Sequence, residues 1–115
     1  MREAQILADI RLELSRLRLS DGRRACLSWR QHVGLLYGPD GTPINVGIEG
    51  MSDIGAIVAG GLALQIEVKS LGHKTSRKRA EAQARWREVV NSFGARGIQV
   101  CSVEEAVGVV REMAR

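Results

Sequence analysis

Two acidic residues and a lysine stand at spacings that suit chemistry on a phosphate. Asp53 is followed by Glu67 after 13 intervening residues, and Lys69 comes two positions later. Two neighbouring carboxylates repel each other unless a cation lies between them, and Mg²⁺ is typically held by one or two carboxylates. The metal makes a bound water acidic enough to attack, while an adjacent ammonium offsets charge on the phosphate. The three residues therefore predict metal-assisted phosphodiester hydrolysis.

Two short strands joined by a tight turn would bring these residues together. Ala59-Gly60-Gly61 separates a strand over residues 53–58 from one over residues 62–69, which predicts an antiparallel hairpin. Asp53 lies about as far before the turn as Glu67 lies after it, so the two become cross-strand neighbours. Side chains alternate along a strand, so Glu67 and Lys69 share one face about 6–7 Å apart. For this strand alone, an amphipathic strand with a solvated polar face is the alternative.

The rest of the chain reads as helices and strands around this hairpin. Apolar residues recur at spacings of three and four near the start, as on one face of a helix. The predicted segments are a helix over 2–19, a β-type stretch over 24–37, a turn over 38–43, a loop over 45–51, the hairpin, a helix from about 76 to 93 ended by Gly94, a strand over 97–101 and a helix opened by Ser102 and Glu105 at capping-box spacing. The order α-β-β-β-α-β-α predicts a mixed α/β sheet with helices against it.

The length and composition of the chain indicate a single domain, and its charge distribution suits binding to a polyanion. The chain has 115 residues, of which 44% are hydrophobic and 26% charged, so residues 1–115 are expected to form a single ordered domain. The net charge is +4, and seven of the basic residues fall between positions 69 and 87 with one acid among them. Such a cluster can follow a nucleic-acid backbone without reading its sequence, the alternative being a solvated helix start. The residues predicted to contact phosphates are His73, Lys74, Arg77, Lys78 and Arg79.

Other site types are disfavoured. Cys26 and Cys101 lie far apart, so they are expected to be small buried residues and not a disulfide or metal ligands. The two histidines, His32 and His73, lack a second ligand at zinc spacing. The chain opens with no signal peptide, and no apolar run approaches 18 residues, which predicts a cytoplasmic protein without a membrane partner.

Several stretches together resemble the VRR-NUC (virus-type replication-repair nuclease) family of the PD-(D/E)XK restriction-endonuclease-like superfamily. The resemblance covers nearly the whole chain. It implies a restriction-endonuclease-like core of one helix, three strands, a helix and a strand. The stretches that carry it are Trp29-Arg30-Gln31-His32-Val33-Gly34, Gly50-Met51-Ser52-Asp53-Ile54, Ile66-Glu67-Val68-Lys69, a helix with Gln83 and Trp86, and Val100-Cys101-Ser102-Val103-Glu104-Glu105-Ala106.

The resemblance also implies roles at the site. Asp53 and Glu67 become ligands of Mg²⁺ or Mn²⁺, the Val68 carbonyl a backbone ligand and Lys69 the catalytic lysine. Gln83 matches the family's helical glutamine near the metal, although residues 72–83 are longer than the family's short polar link. A solvated helix position is the alternative for Gln83.

Glu3 is the candidate for the further acid that the first helix often supplies in this family. It shares the inward stripe of Ile6, Leu7 and Ile10, where a solvated glutamate is not expected. The alternative is an exposed acid in the first turn, which helix N-termini favour in any case.

For function, the resemblance implies a stand-alone DNA endonuclease with a role in DNA repair, in a bacterial cell or phage-infected host. Members of this type look like homodimers that cut branched DNA such as four-way junctions, since a two-fold dimer places two active sites on opposite strands. Two alternatives stay open: a nucleic-acid-binding module of the same fold that does not cut, and an unrelated α/β protein of protein–protein contacts. The intact Asp53, Glu67 and Lys69 argue against a module that has lost its activity.

Overall fold

A computed structural model describes residues 2–72 and 74–115, and in it three helices pack against a four-stranded sheet. The elements are α1 (Glu3–Arg16), β1 (Cys26–Arg30), β2 (Gly34–Tyr37), β3 (Pro43–Val46), β4 (Ile54–Val58), β5 (Leu62–Val68), α2 (Arg77–Ser92), β6 (Arg96–Val100) and α3 (Val103–Met113). The central sheet has the order β1-β4-β5-β6, in which only β5 and β6 are parallel. The predicted mixed α/β fold is confirmed, and the predicted order matches the helices and the strands of the central sheet, to which the β2–β3 hairpin adds two further strands.

One face of the central sheet carries the apolar core. Alternate residues of β4 and β5 point to this face, where α1 and α3 cover them. Full burial of each large aliphatic side chain stabilises the fold by roughly 1.5–3 kcal/mol, so this face holds the sheet together and leaves the other face for polar groups. The strand residues buried in this core are Ile54, Ala56, Val58, Leu64, Ile66 and Val68.

Helices α2 and α3 each begin after a capping serine, of which the sequence predicts Ser102 as a cap and residue 76 only as the approximate start of a helix. The Ser76 hydroxyl accepts a hydrogen bond from the Arg79 N–H at 3.2 Å. The Ser102 hydroxyl likewise accepts from the Glu105 N–H at 3.2 Å, while the Glu105 carboxylate accepts from the Cys101 N–H. Each contact satisfies an N–H that a helix start leaves without an intrahelical partner, which is why both helices start at a serine.

The predicted β-type stretch over residues 24–37 is in fact two strands in two different sheets. Strand β1 pairs with β4, whereas β2 pairs with β3 in a separate two-stranded hairpin. The chain changes sheets through Gly34, whose φ of +130° favours glycine. The predicted turn over 38–43 is present, but Asn45 and Val46 extend β3 and do not belong to a loop. Sequence periodicity runs through the break because both strands are rich in apolar residues.

Cys26 is buried, Cys101 is half-buried, and neither forms a disulfide. The Cys26 thiol donates a weak hydrogen bond to the Leu14 carbonyl of α1, so it packs as a small core residue. Over residues 2–72 and 74–115, no helix combines the length and apolar character needed to cross a membrane.

Candidate active site

Asp53 and Glu67 are brought together by the pairing of β4 with β5. Ile54 pairs with Ile66 in antiparallel register, and continuing this register by one residue places Asp53 opposite Glu67. The Asp53 Oδ2 atom accepts a hydrogen bond of 2.8 Å from the Val68 N–H. This bond anchors the Asp53 carboxylate at the end of β5, in the cross-strand position that the hairpin prediction required.

Glu67 lies on the opposite face of the sheet from the apolar core, under α2. Its side chain and that of Lys69 are almost fully buried, at 2% and 8% exposed. The Lys69 Nζ atom lies 3.5 Å from Glu67 Oε1, and Gln83 Nε2 of α2 donates to the same oxygen at 3.0 Å. Gln83 is itself 4% exposed. The structure therefore excludes a solvated strand face for Glu67 and a solvated helix position for Gln83.

The Glu67 carboxyl is held in an environment that disfavours its charge. Its pKa is raised from 4.5 to about 8, first by burial and then by the charge of Asp53 and a hydrogen bond with it, while Lys69 and Arg79 lower it. Near neutral pH the buried Glu67 carboxyl therefore favours its protonated, neutral form. A divalent cation can take the place of that proton, because binding to a carboxylate competes with protonation.

The carboxylate oxygens of Asp53 and Glu67 that contact no nitrogen donor suit a hard divalent cation. Glu67 takes both of its nitrogen contacts through Oε1 and Asp53 accepts from the Val68 N–H through Oδ2, so within residues 2–72 and 74–115 no N–H or ammonium group bonds to Glu67 Oε2 or Asp53 Oδ1. Carboxylate oxygens are the ligands that Mg²⁺ and Mn²⁺ prefer. In the same ranges, no three side chains of His, Cys, Asp or Glu form a group that could hold a metal. The arrangement thus fits a two-carboxylate site completed by water or substrate.

Further polar contacts hold the segment that leads into β4, and sequence reasoning alone missed them. Trp86 Nε1 of α2 donates at 3.0 Å to the hydroxyl of Ser52, which is buried. Gln31 donates its side-chain amide to the Ser52 carbonyl and to Gln65, and its backbone N–H to the Asp53 carbonyl at 2.8 Å. The main chain around Asp53 is thereby tied to β1, β5 and α2. Most of these residues lie in the stretches that carry the family resemblance, but the sequence did not indicate which of them bond to one another.

Gly50 permits the close approach of this segment to α2. Its φ is +83°, and a Cβ there would lie 2.3 Å from the Ala82 carbonyl oxygen of α2. We expect Gly50→Ala to lower the free energy of unfolding by about 3 kcal/mol, through the left-handed backbone and the clash together. Gly61→Ala is the matched control, because Gly61 has the same φ of +83° with nothing within 4 Å, and should lose about 1 kcal/mol. Equal losses in urea unfolding would contradict a role for the contact with α2.

The predicted basic cluster is exposed at the start of α2. Lys74, Arg77, Lys78 and Arg79 all face solvent. Lys78 and Arg79 line, together with Gln83, a cleft of about 230 Å³, while Arg77 pairs with Glu81 at 3.1 Å. The positive charge of Arg79 also lowers the pKa of Glu67. The cluster is therefore close enough to influence the charge of the Asp53–Glu67 site. The predicted phosphate contact His73 lies outside the described residues.

Glu3 and Val68 are the two further predicted ligands. Glu3 lies in the first turn of α1, half-buried, and its Oε1 atom is buried without a hydrogen-bond partner among the described residues. It does not form a three-carboxylate group with Asp53 and Glu67 there. The Val68 N–H is used by Asp53. The ligand roles of Glu3 and of the Val68 carbonyl stay predictions.

Comparison with known proteins gives no assignment. No protein-family model, curated protein or solved structure matches this chain. The resemblance to VRR-NUC nucleases therefore stays a prediction from the sequence stretches that carry it, and function is inferred from the chemistry of the site.

Proposed function

We propose that this protein is a divalent-metal-dependent endonuclease that hydrolyses phosphodiester bonds in DNA, with the restriction-endonuclease-like core of the VRR-NUC family. The observation that carries the proposal is the meeting of Asp53, Glu67 and Lys69 on one buried polar face, with Gln83 donating to Glu67. Burying carboxylates and an ammonium is costly, and apolar residues of similar size often stabilise a fold as well or better. A chemical role explains why such a group is present.

Each residue has a task that follows from its position. Asp53 and Glu67 would hold Mg²⁺ or Mn²⁺, with Glu3 and the Val68 carbonyl as further proposed ligands. When bound, the cation supplies a more acidic water and offsets charge on the phosphate. Lys69, beside Glu67, orients the attacking water and stabilises the negative charge that develops on the phosphate oxygens. Gln83 fixes the orientation of the Glu67 carboxylate by donating to Oε1.

DNA is supported as the substrate by the distribution of charge. Two of the exposed basic residues at the start of α2, Lys78 and Arg79, line the same cleft as Gln83, which donates to Glu67, so a polyanionic strand in this cleft would lie near the carboxylates. The same cluster also supports the second candidate, a nucleic-acid-binding module of this fold that does not cut. That candidate does not account for the burial of Glu67 and Lys69 together beneath Gln83.

Metal-dependent cleavage tests the proposal directly. A labelled four-way junction and a matched linear duplex are incubated with Mg²⁺, Mn²⁺ or EDTA. Wild type should cut in either metal and not in EDTA, whereas Asp53→Asn should bind the junction but cut neither substrate. The exposed α2 variant Glu88→Gln serves as the control. If wild type binds the junction and cuts with neither metal, the binding-module candidate replaces the nuclease.

We further propose that two copies of the chain associate through the β2–β3 hairpin. Its large apolar side chains Leu35, Leu36, Tyr37 and Ile44 are between 50% and 68% exposed. A two-stranded hairpin by itself is at best marginally stable in water, and an exposed apolar patch commonly marks a contact surface. A two-fold dimer would also present two sites to a symmetric branched substrate.

Leu36→Glu is expected to weaken this dimer at least about tenfold, because it places a charge in an apolar contact. Sedimentation equilibrium over a range of concentrations would measure the dissociation constant. Leu12→Glu is the matched control, since Leu12 is a similarly exposed leucine of α1. A wild type that is monomeric at every concentration, or equal effects of both substitutions, would contradict the hairpin interface.

A further inference from the structure

We propose that a second cavity, on the Lys69 side of α2, binds a backbone phosphate of the DNA strand adjacent to the phosphate that is cut. The inference rests on the proposed nuclease function and adds to it a substrate-binding site. The cavity measures about 350 Å³ and is called the Arg87 pocket below. Its polar lining residues are Lys69, Ser70, Thr75, Gln83, Arg87 and Gln99.

Arg87 is the residue that points to a ligand. Its Nη1 atom is buried and has no hydrogen-bond partner among the described residues. A buried N–H left unpaired is unfavourable, and more so on a charged group, and a ligand oxygen would satisfy it. The guanidinium presents its N–H groups in a planar fork that matches the oxygens of a phosphate.

The position of Arg87 is set by packing. A Cβ built on Gly97 of β6 would lie 3.2 Å from Arg87 Cγ and 3.3 Å from its Cα. Helix α2 therefore crosses β6 at this glycine with the arginine stem against the strand. A stem held in this way limits how far the guanidinium can swing toward solvent, which keeps the half-buried arginine beside the pocket.

The charge of the Arg87 pocket selects an anion. Lys69 and Arg87 both line it, and no aspartate or glutamate does so within residues 2–72 and 74–115. Arg87 also makes no salt bridge in those ranges. The hydroxyl groups of Ser70 and Thr75 and the amide of Gln99 can add hydrogen bonds to an anion without cancelling the charge.

Continuity with the cleavage site identifies the anion as part of the substrate. Lys69 and Gln83 line the Arg87 pocket and also contact Glu67. Successive phosphates of one strand follow at about 3.4 Å of rise along a duplex. A strand whose scissile phosphate lies beside Lys69 therefore brings a neighbouring phosphate toward Arg87.

Binding of a fluorescent four-way junction in EDTA, where no cutting is expected, tests the pocket. Arg87→Met keeps the packed stem and removes the guanidinium. We expect it to weaken binding about tenfold and to lower the slope of log K against log salt by about 1. Arg85→Met, which removes the same charge from an exposed position of α2, should change both quantities less. With Mg²⁺, Arg87→Met should raise KM and change kcat by less than about threefold.

Neutral methylphosphonates placed one at a time along the strand identify the contact. One position next to the cut should weaken wild-type binding, and the same position should add no loss in Arg87→Met. Loss of the guanidinium should leave the unfolding temperature unchanged or higher, since it removes an unpaired buried donor. Should Arg87→Met be destabilised, Arg87→Lys, which keeps the charge and loses the fork, should give the same methylphosphonate result.

The outcomes separate this proposal from the nuclease itself. Equal effects of Arg87→Met and Arg85→Met, or a methylphosphonate loss that persists in Arg87→Met, would overturn the pocket even if wild type cuts DNA. Binding that depends on Arg87 in a wild type that cuts with no metal would keep the pocket and end the nuclease proposal. A wild type that does not bind the junction would overturn both.

Discussion

Lys69→Ala is expected to lower the rate of phosphodiester cleavage about 10²–10³-fold at saturating DNA, which is the usual effect of removing one group that stabilises charge in the transition state. The ammonium lies 3.5 Å from Glu67 Oε1 and is almost fully buried. Water cannot replace it easily in such a place, so the loss appears in kcat. Affinity for DNA in EDTA should fall about tenfold at most, because a single cation is removed.

Single-turnover cleavage of the labelled junction, with Mg²⁺ varied, measures this effect. Varying the metal matters because Lys69 also lowers the pKa of Glu67, so the variant can need more Mg²⁺. Arg111→Ala, which removes an exposed cation from α3, is the control and should cut at the wild-type rate. A Lys69→Ala protein that cuts within about tenfold of wild type at saturating metal would remove Lys69 from the chemistry.

Glu67→Gln is expected to stabilise the metal-free protein at high pH. The folded-state pKa of Glu67 is about 8 against an ordinary value of 4.5, so between these values folding takes up a proton and stability declines as pH rises. The contribution is complete below pH 4.5 and is lost as pH rises through 8, by about 1.4 kcal/mol for each pH unit in between. Glutamine resembles the protonated acid, so the variant should match wild type near pH 4.5. It should exceed wild type by about 5 kcal/mol above pH 8.

Urea unfolding at several pH values, with EDTA or with Mg²⁺, checks both halves of this prediction. Mg²⁺ should raise the unfolding midpoint of wild type, since a ligand that binds only the folded state stabilises it. It should leave Glu67→Gln unchanged. The exposed control Glu88→Gln should follow wild type in every condition. A Glu67→Gln protein with the pH dependence of wild type would contradict the raised pKa of Glu67, and an equal Mg²⁺ effect on both would place the metal elsewhere.

Local rules in the sequence were sufficient for the elements that hold the carboxylates. Strong turn residues at Ala59-Gly60-Gly61 and alternation along β5 predicted the hairpin, and its register then placed Asp53 opposite Glu67. The capping-box spacing of Ser102 and Glu105 predicted the start of α3, and the change to a helical pattern predicted the start of α2 near residue 76. These features depend on residues within a few positions of one another, because backbone geometry and cap hydrogen bonds are local.

The sequence was less informative where apolar residues do not become buried. A continuous β-like pattern over residues 24–37 hid the change from β1 to β2, because the hairpin of β2 and β3 is as apolar as a core strand yet remains exposed. Periodicity reports which residues could share a face. It does not report whether another element covers that face.

Packing of α2 on the sheet decided the rest of the site. Only the tertiary structure buried Glu67 and Lys69 on a face that alternation alone would leave in solvent, and only it placed Gln83 on Glu67, Trp86 on Ser52 and Gly50 against Ala82. The unpaired Arg87 donor likewise depends on how α2 crosses β6 at Gly97. The physical reason is that burial determines how much free energy a charged group costs the fold and how unfavourable an unpaired hydrogen-bond donor is. Burial in turn depends on elements that lie far apart in the chain and pack together only in the tertiary structure.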